Sequence, residues 1–167
     1  EDSVGHERLW GKGSRFSSKE GPAMRVLVLH GPNLNLLGER EPELYGEQTL
    51  EELNDAILRA AKELHFDARC EQYNGEGRLI DALHAARKTD AGVVINPGAY
   101  AHYSYAIADA IAAIRIPVIE VHLSNVAARE GFRRTSVTAA ACRGVVSGLG
   151  AAGYVLALRA LAEILAA

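Results

Sequence analysis

Apolar positions along the chain come in two rhythms. RVLVLH (25–30) and GVVIN (92–96) are short unbroken apolar runs, the pattern of parallel strands covered on both faces. TLEELNDAILRAAKELH (49–65) instead spaces Leu50, Leu53, Ile57 and Leu64 at helical intervals. Thr49 stands at its N-cap position and Glu52 completes a capping box. FDARCEQY (66–73) alternates and predicts an outer strand; GRLIDALHAARK predicts a second helix, and SYAIADAIAAI a third behind Ser104. PVIEVHL is the next strand, with Pro117 at the first position, where a missing N–H costs least. A short strand, GVVSG, leads into a last helix, AAGYVLALRALAEIL. Five strands with intervening helices predict an α/β fold, a doubly wound parallel sheet inside a three-layer αβα sandwich.

Ligands of such sheets bind beyond the carboxyl ends of the strands. Three polar clusters fall there: HGPNLNLLGEREPELYG after the first strand, NPGAYAHYS after the third, and EVHLSN with VAAREGFRR after the fourth. The opposite strand ends carry little besides turn residues. Within IEVHLSN, Glu120 and His122 are two apart and share one face of a strand. An ionisable pair in an apolar layer needs partners and suggests chemistry.

Composition narrows the choices. The chain has 167 residues, 49% hydrophobic and 23% charged, with net charge −3. That suits one globular domain and gives no basic excess for nucleic acid or anionic lipid. Cys70 and Cys142 are too few for a disulfide framework and read as small buried hydrophobes in a reducing compartment. No apolar run approaches a membrane span, and residues 1–23 lack the apolar stretch of a signal peptide. Their charges cancel, so they are expected to form a flexible extension containing Trp10, with the domain covering 24–167.

Several motifs are set aside. GLGAAG (148–153) has dinucleotide-loop spacing, but that fingerprint needs an acidic residue about 20 positions on, after another strand. Its glycines are expected to let the last helix pack close to the sheet. A phosphate-accepting receiver needs an aspartate where Asn96 stands, and a flavin-phosphate loop needs Ser or Thr where GPNLNLLG has neither. His102 and His122 lack the cysteines or clustered carboxylates of a metal site.

GPNLNLLGEREPELYG, INPGAYAHYS, IEVHLSN and AREGFRR, in this order and at these intervals, resemble the defining segments of type II 3-dehydroquinate dehydratases. The resemblance runs from about Met24 to Leu165. It implies a flavodoxin-like fold, a cytoplasmic homododecamer of four trimers, and no cofactor or metal. The implied reaction converts 3-dehydroquinate to 3-dehydroshikimate on the shikimate route to aromatic compounds.

The resemblance also implies roles. Tyr45 aligns with the base; a free tyrosine pKa is about 10, and Arg40, five residues earlier, would favour the phenolate. His122 aligns with the general acid, and Glu120 is expected to orient its ring or keep it protonated. Asn33 aligns with the residue that holds a water at the enolate oxygen; its other reading is a side-chain cap on the turn after Pro32. Asn96, His102, Leu123, Ser124 and Arg133 align with the substrate-binding set, where the Leu123 and Ser124 amides suit a carboxylate. Asn96 could instead cap its strand, and Arg133 could pair with Glu130. Asp109 matches an aspartate that reaches the neighbouring subunit's site, and the sequence predicts His102 and Asp109, seven apart, on one helix face. Departures from the family pattern are Ala101, Tyr103, Tyr105, YNGEG and TSVTAAACRG, expected at the pocket rim or trimer contact. Lys12, Lys19, Lys62 and Lys88 are the only lysines, and none is expected near the strand ends, which argues against an imine route.

Overall fold

The structure, a computed structural model, describes residues 22–39 and 47–167. Arg40, Tyr45 and residues 1–21, including Trp10, lie outside the described residues. Strands β1 (Met24–His30), β2 (Phe66–Gln72), β3 (Gly92–Asn96), β4 (Val118–His122) and β5 (Gly144–Ser147) form one parallel sheet in the order β2-β1-β3-β4-β5. Between and after them run helices α1 (Leu50–Glu63), α2 (Glu76–Thr89), α3 (Tyr105–Ile114) and α4 (Ala152–Ala166).

The side-chain alternation of the strands separates two apolar layers. Val26, Val28, Val94, Ile119 and Val121 meet α1 and α4 through Leu53, Ile57, Tyr154, Leu158 and Leu161. On the other face Leu27, Leu29, Val93, Ile95 and Val118 meet α2 and α3 through Leu79, Leu83, Ile107 and Ile111. These side chains are essentially removed from water. Each aliphatic one stabilises the fold by roughly 1.5–3 kcal/mol relative to exposure. The same parity puts Glu120 and His122 on the Val118 side of β4, and His30 and Asn96 on the side facing α1 and α4.

Local signals act as the sequence implies. Thr49 and Glu52 cap α1 reciprocally, the Thr49 amide donating to Glu52 Oε2 (2.9 Å) and the Glu52 amide to Thr49 Oγ1 (3.2 Å). Ser104 Oγ accepts the Ile107 amide at 3.0 Å and starts α3. Three expectations change. β2 is an edge strand but does not alternate cleanly, because Arg69 pairs with Glu71 and Asp90 along its flank and leaves most positions half-buried. Cys70 and Cys142 are half-buried, each packed against one apolar layer. Burial still pushes both thiols up to about 12, with the charge of Glu120 adding to the effect at Cys142. Finally, His102 and Asp109 do not share a helix. His102 ends a 3-10 segment, Gly98–His102, and the Ser104 cap begins a separate helix that carries Asp109.

Candidate active site

β1 and β3 lie side by side, and the chain leaves them in opposite directions across the sheet, so a crevice opens beyond their carboxyl ends. The exits are pressed together there. The Gly31 amide donates to Asn96 O at 2.7 Å, and any β-carbon on Gly31 would lie 2.6 Å from the Pro97 carbonyl carbon. Only glycine allows this approach. The resulting pocket is walled by Pro32, Asn33, Leu34 and Leu37 from the first exit, Asn96, Gly98 and His102 from the second, and His122 through Ser124, Val126, Arg129 and Arg133 from the fourth-strand exit. Asn33, Asn96, His102, His122, Leu123, Ser124 and Arg133 are thus brought to one pocket.

His122 ends β4 and is 5% exposed. Its Nε2 donates to Glu120 Oε1 at 2.7 Å, which leaves Nδ1 as the nitrogen for a ligand. Glu120 is fully buried. Its Oε1 also accepts from Ser136 Oγ (2.8 Å), and its Oε2 from Thr138 Oγ1 (2.5 Å). Burial alone would push the Glu120 carboxyl up. The bonds from His122 and Thr138, the charge interaction with His122, and the bond from Ser136 together hold it below its ordinary value. A carboxylate with three donors keeps the imidazole in one orientation and one tautomer. The His102 ring lies nearly parallel to that of His122, centroids 6.3 Å apart, and its Nδ1 donates to Thr135 O at 2.8 Å.

A second polar chain runs under the opposite wall. The Gly98 amide donates to Asn96 Oδ1 (3.1 Å), and Asn96 Nδ2 donates to the Tyr154 hydroxyl (3.2 Å). Tyr154 O–H donates to His30 Nδ1 (3.0 Å), and His30 Nε2–H to Asn54 Oδ1 (2.8 Å). Burial lowers the His30 imidazole to about 4 against the opposing bond to Asn54, so it is neutral near pH 7 and can accept on Nδ1 and donate on Nε2. Burial likewise pushes the Tyr154 phenol up, which keeps it a donor. Asn96 therefore both caps the β3 exit and lines the pocket.

Asn33 takes a left-handed backbone (φ 67°) and makes no side-chain cap; its amide donates to Asn74 Oδ1 at 2.9 Å, and its residue lines the pocket. The cap reading is overturned because the left-handed backbone turns the chain without it. Arg133 pairs with Glu130 (Nε to Oε2, 3.0 Å), stacks on Phe132, and also lines the pocket. Beside it Arg129 Nη1 reaches Ser124 Oγ at 3.5 Å. Arg129 Nε also lies 3.4 Å from Glu130 Oε2, so both guanidinium groups share that carboxylate while lining the pocket. Their planar N–H groups are of the kind that binds carboxylates. The GLGAAG loop serves this site structurally: its Gly148 and Gly150 amides donate to the carbonyls of His122 and Leu123 (3.1 and 3.0 Å). Gly148 has φ 87°, and a β-carbon there would lie 2.9 Å from Asn125 Cβ. A β-carbon on Gly153 would meet Val146 and Val121 only at ordinary contact distance (3.4 and 3.5 Å), so anchoring the β4 exit explains this loop better than close helix packing.

Not every candidate comes to the pocket. Asp109 is exposed on α3 and does not line it. Ala101 is fully buried, and its carbonyl accepts the Val137 amide, so it belongs to the interior and not the rim. Tyr103 and Tyr105 are exposed and also outside the lining. Lys62 and Lys88 are exposed on α1 and α2. Among the described residues no three His, Cys, Asp or Glu side chains gather to hold a metal ion, and no helix is long and apolar enough to cross a membrane. Sequence reasoning missed Arg129, Ser136, Thr138, His30, Asn54 and Tyr154. Arg129 and His30 stand in the strand-exit segments. Ser136 and Thr138 stand in TSVTAAACRG, expected at the rim or trimer contact but placed beneath the pocket, with Thr138 fully buried; Asn54 and Tyr154 carry no local signal.

Fold and site together define a flavodoxin-like α/β protein with a carboxylate-oriented imidazole in an arginine-lined pocket at the sheet's switch point. Residues 24–162 match the family model described as dehydroquinase class II. The chain is 55% identical over 141 residues to the 3-dehydroquinate dehydratase of Pelotomaculum thermopropionicum, covering 84% of this chain and 98% of that protein. Crystal structures of type II dehydroquinases from Propionibacterium acnes and Butyrivibrio crossotus superpose with TM-scores of 0.81 and 0.82 at 46% and 47% identity. Each alignment covers 84% of this chain, and 97% and 99% of those chains. The chain belongs to the class II dehydroquinase family.

Proposed function

We propose that this protein is a hydro-lyase that dehydrates 3-dehydroquinate to 3-dehydroshikimate in the shikimate pathway, working in the cytoplasm as a homododecamer of trimers. Residues 24–167 are its single catalytic domain. The observation that carries the reading is the buried Glu120 that fixes His122 at the wall of a pocket shared with Asn33, Asn96, His102 and Arg133.

In this reading Tyr45, with its phenolate favoured by Arg40, takes the proton alpha to the ketone. The electron pair moves onto the carbonyl oxygen, where a water held by Asn33 meets the enolate. Collapse of the enolate expels the beta hydroxyl as water, its proton supplied by the His122 imidazolium through Nδ1 while Nε2–H stays on Glu120. Arg133, Ser124 and the Leu123 and Ser124 amides hold the substrate carboxylate, and Asn96 and His102 hold its ring hydroxyls. Asp109 acts from the neighbouring subunit. The proton moves through side chains alone, so this mechanism calls for neither cofactor nor metal.

The test is direct. Purified protein mixed with 3-dehydroquinate is expected to raise the ultraviolet absorbance of the conjugated product. No absorbance change at micromolar protein would overturn the proposal and leave a binding or scaffolding role for the chain.

A further inference from the structure

Residues 135–138 follow the Arg133 turn and run back beneath the pocket. The Thr135 carbonyl accepts from His102 Nδ1 (2.8 Å), and the Val137 amide donates to Ala101 O (2.7 Å). The two hydroxyls of the same segment converge on Glu120, from Ser136 at 2.8 Å and from Thr138 at 2.5 Å. Ser136 Oγ lies 3.2 Å from Thr138 Oγ1 and accepts the Ala139 amide at 3.0 Å, so its direction is set. Thr138 is fully buried. Neither hydroxyl lines the pocket. One short segment therefore touches the His102 ring itself and the carboxylate partner of His122, while neither of its hydroxyls lines the pocket.

We infer that the 135–138 segment is a positioning strap for the acid machinery, in which Ser136 and Thr138 keep Glu120 ionised and aimed at His122 while the Thr135 carbonyl sets the ring of His102. This rests on the reading of His122 as the acid. A buried carboxylate is costly unless its lone pairs are filled. With the two hydroxyls present, Glu120 accepts the His122 Nε2–H. Without them, Glu120 takes up a proton more readily, and a neutral carboxyl is a poorer acceptor for the ring. Other groups near this carboxylate do not replace the hydroxyls. Its neighbours across the sheet, Ile95 and Val145, carry no charge. The Cys142 thiol is 4.0 Å from Oε2. His102, Arg129 and Arg133 stand around the pocket on the His122 side.

The consequence has a definite sign. Glu120 is needed ionised, so raising its pKa moves the acid limb of the kcat–pH profile to higher pH. Thr138→Val and Ser136→Ala are each expected to lower kcat on the order of tenfold, to leave KM within about twofold, and to shift that limb upward. Thr138→Ser is expected to restore both kcat and the limb. Unchanged kcat in both variants overturns the inference, as does a loss with the acid limb at its wild-type pH or a Thr138→Ser as impaired as Thr138→Val. If Thr138→Val does not fold, Ser136→Ala decides by the same readouts. Carboxyl 13C NMR of Glu120 follows the titration without substrate. A wild-type chain silent toward 3-dehydroquinate therefore overturns the dehydratase reading, while an unmoved Glu120 midpoint in both variants of an active chain overturns this one.

Discussion

A single imidazole illustrates how much a residue's role depends on its neighbours. The acid role proposed for His122 requires one ring nitrogen fixed and the other presented, and Glu120 holds Nε2. The complementary base, Tyr45, is assigned by resemblance and lies outside the described residues. Tyr45→Phe is expected to lower turnover by about two to four orders of magnitude, the usual contribution of a general base. Lys62→Ala and Lys88→Ala should leave it nearly unchanged, since both lysines sit exposed on helices away from the pocket lining. Borohydride added with substrate should neither inactivate the enzyme nor add mass to it. A trapped lysine adduct, or Tyr45→Phe at the wild-type rate, would show that the elimination runs by another route.

At the scale of elements, the polar chain from Asn54 through His30 and Tyr154 to Asn96 ties α1, β1, α4 and β3 together beneath the pocket. Its pH dependence follows from His30, whose folded pKa of about 4 lies below the ordinary 6.5. The unfolded chain binds the proton that the fold excludes. Stability is therefore fully present above about pH 6.5 and declines as the pH falls toward 4, by roughly 3 kcal/mol over that window. Glu120 acts in the same direction at lower pH, because its depressed carboxyl stabilises the fold only while ionised. Urea denaturation at pH 7 and pH 4.5 should show the loss, and His30→Asn should flatten it. An equal slope in that variant would assign the acid sensitivity elsewhere.

For the whole molecule, the exposed Asp109 on α3, with the exposed Tyr103 and Tyr105 at the head of that helix, becomes intelligible if this surface meets another subunit. Asp109 lies outside its own chain's pocket lining. Asp109→Ala is expected to raise KM about tenfold, the loss of one charge-assisted hydrogen bond across the contact, or to loosen the trimer. Light scattering alongside kinetics separates the two outcomes. A fully active wild-type monomer would overturn the assembly.

The chain itself determined the sheet, the helices and the edge where chemistry gathers. Short apolar runs rich in Val and Ile and bounded by Gly and Pro turn residues fit covered parallel strands, and the Thr49 and Ser104 caps mark helix starts by local hydrogen bonds alone. The spacing of Glu120 and His122 is legible for the same reason, since two residues apart on one strand always share a face. What only the tertiary structure decided are the partners that arrive from far along the chain. Thr138 reaches Glu120 across 18 residues, and Tyr154 reaches His30 across 124. No local pattern encodes either meeting. One reading drawn from local spacing failed for a related reason: His102 and Asp109 have helical spacing but are parted by a cap. GLGAAG, set aside as a nucleotide loop on its sequence, spends its amides on the carbonyls of β4 and its exit. A spacing constrains geometry only inside one continuous element, and where elements end is settled by the packing around them.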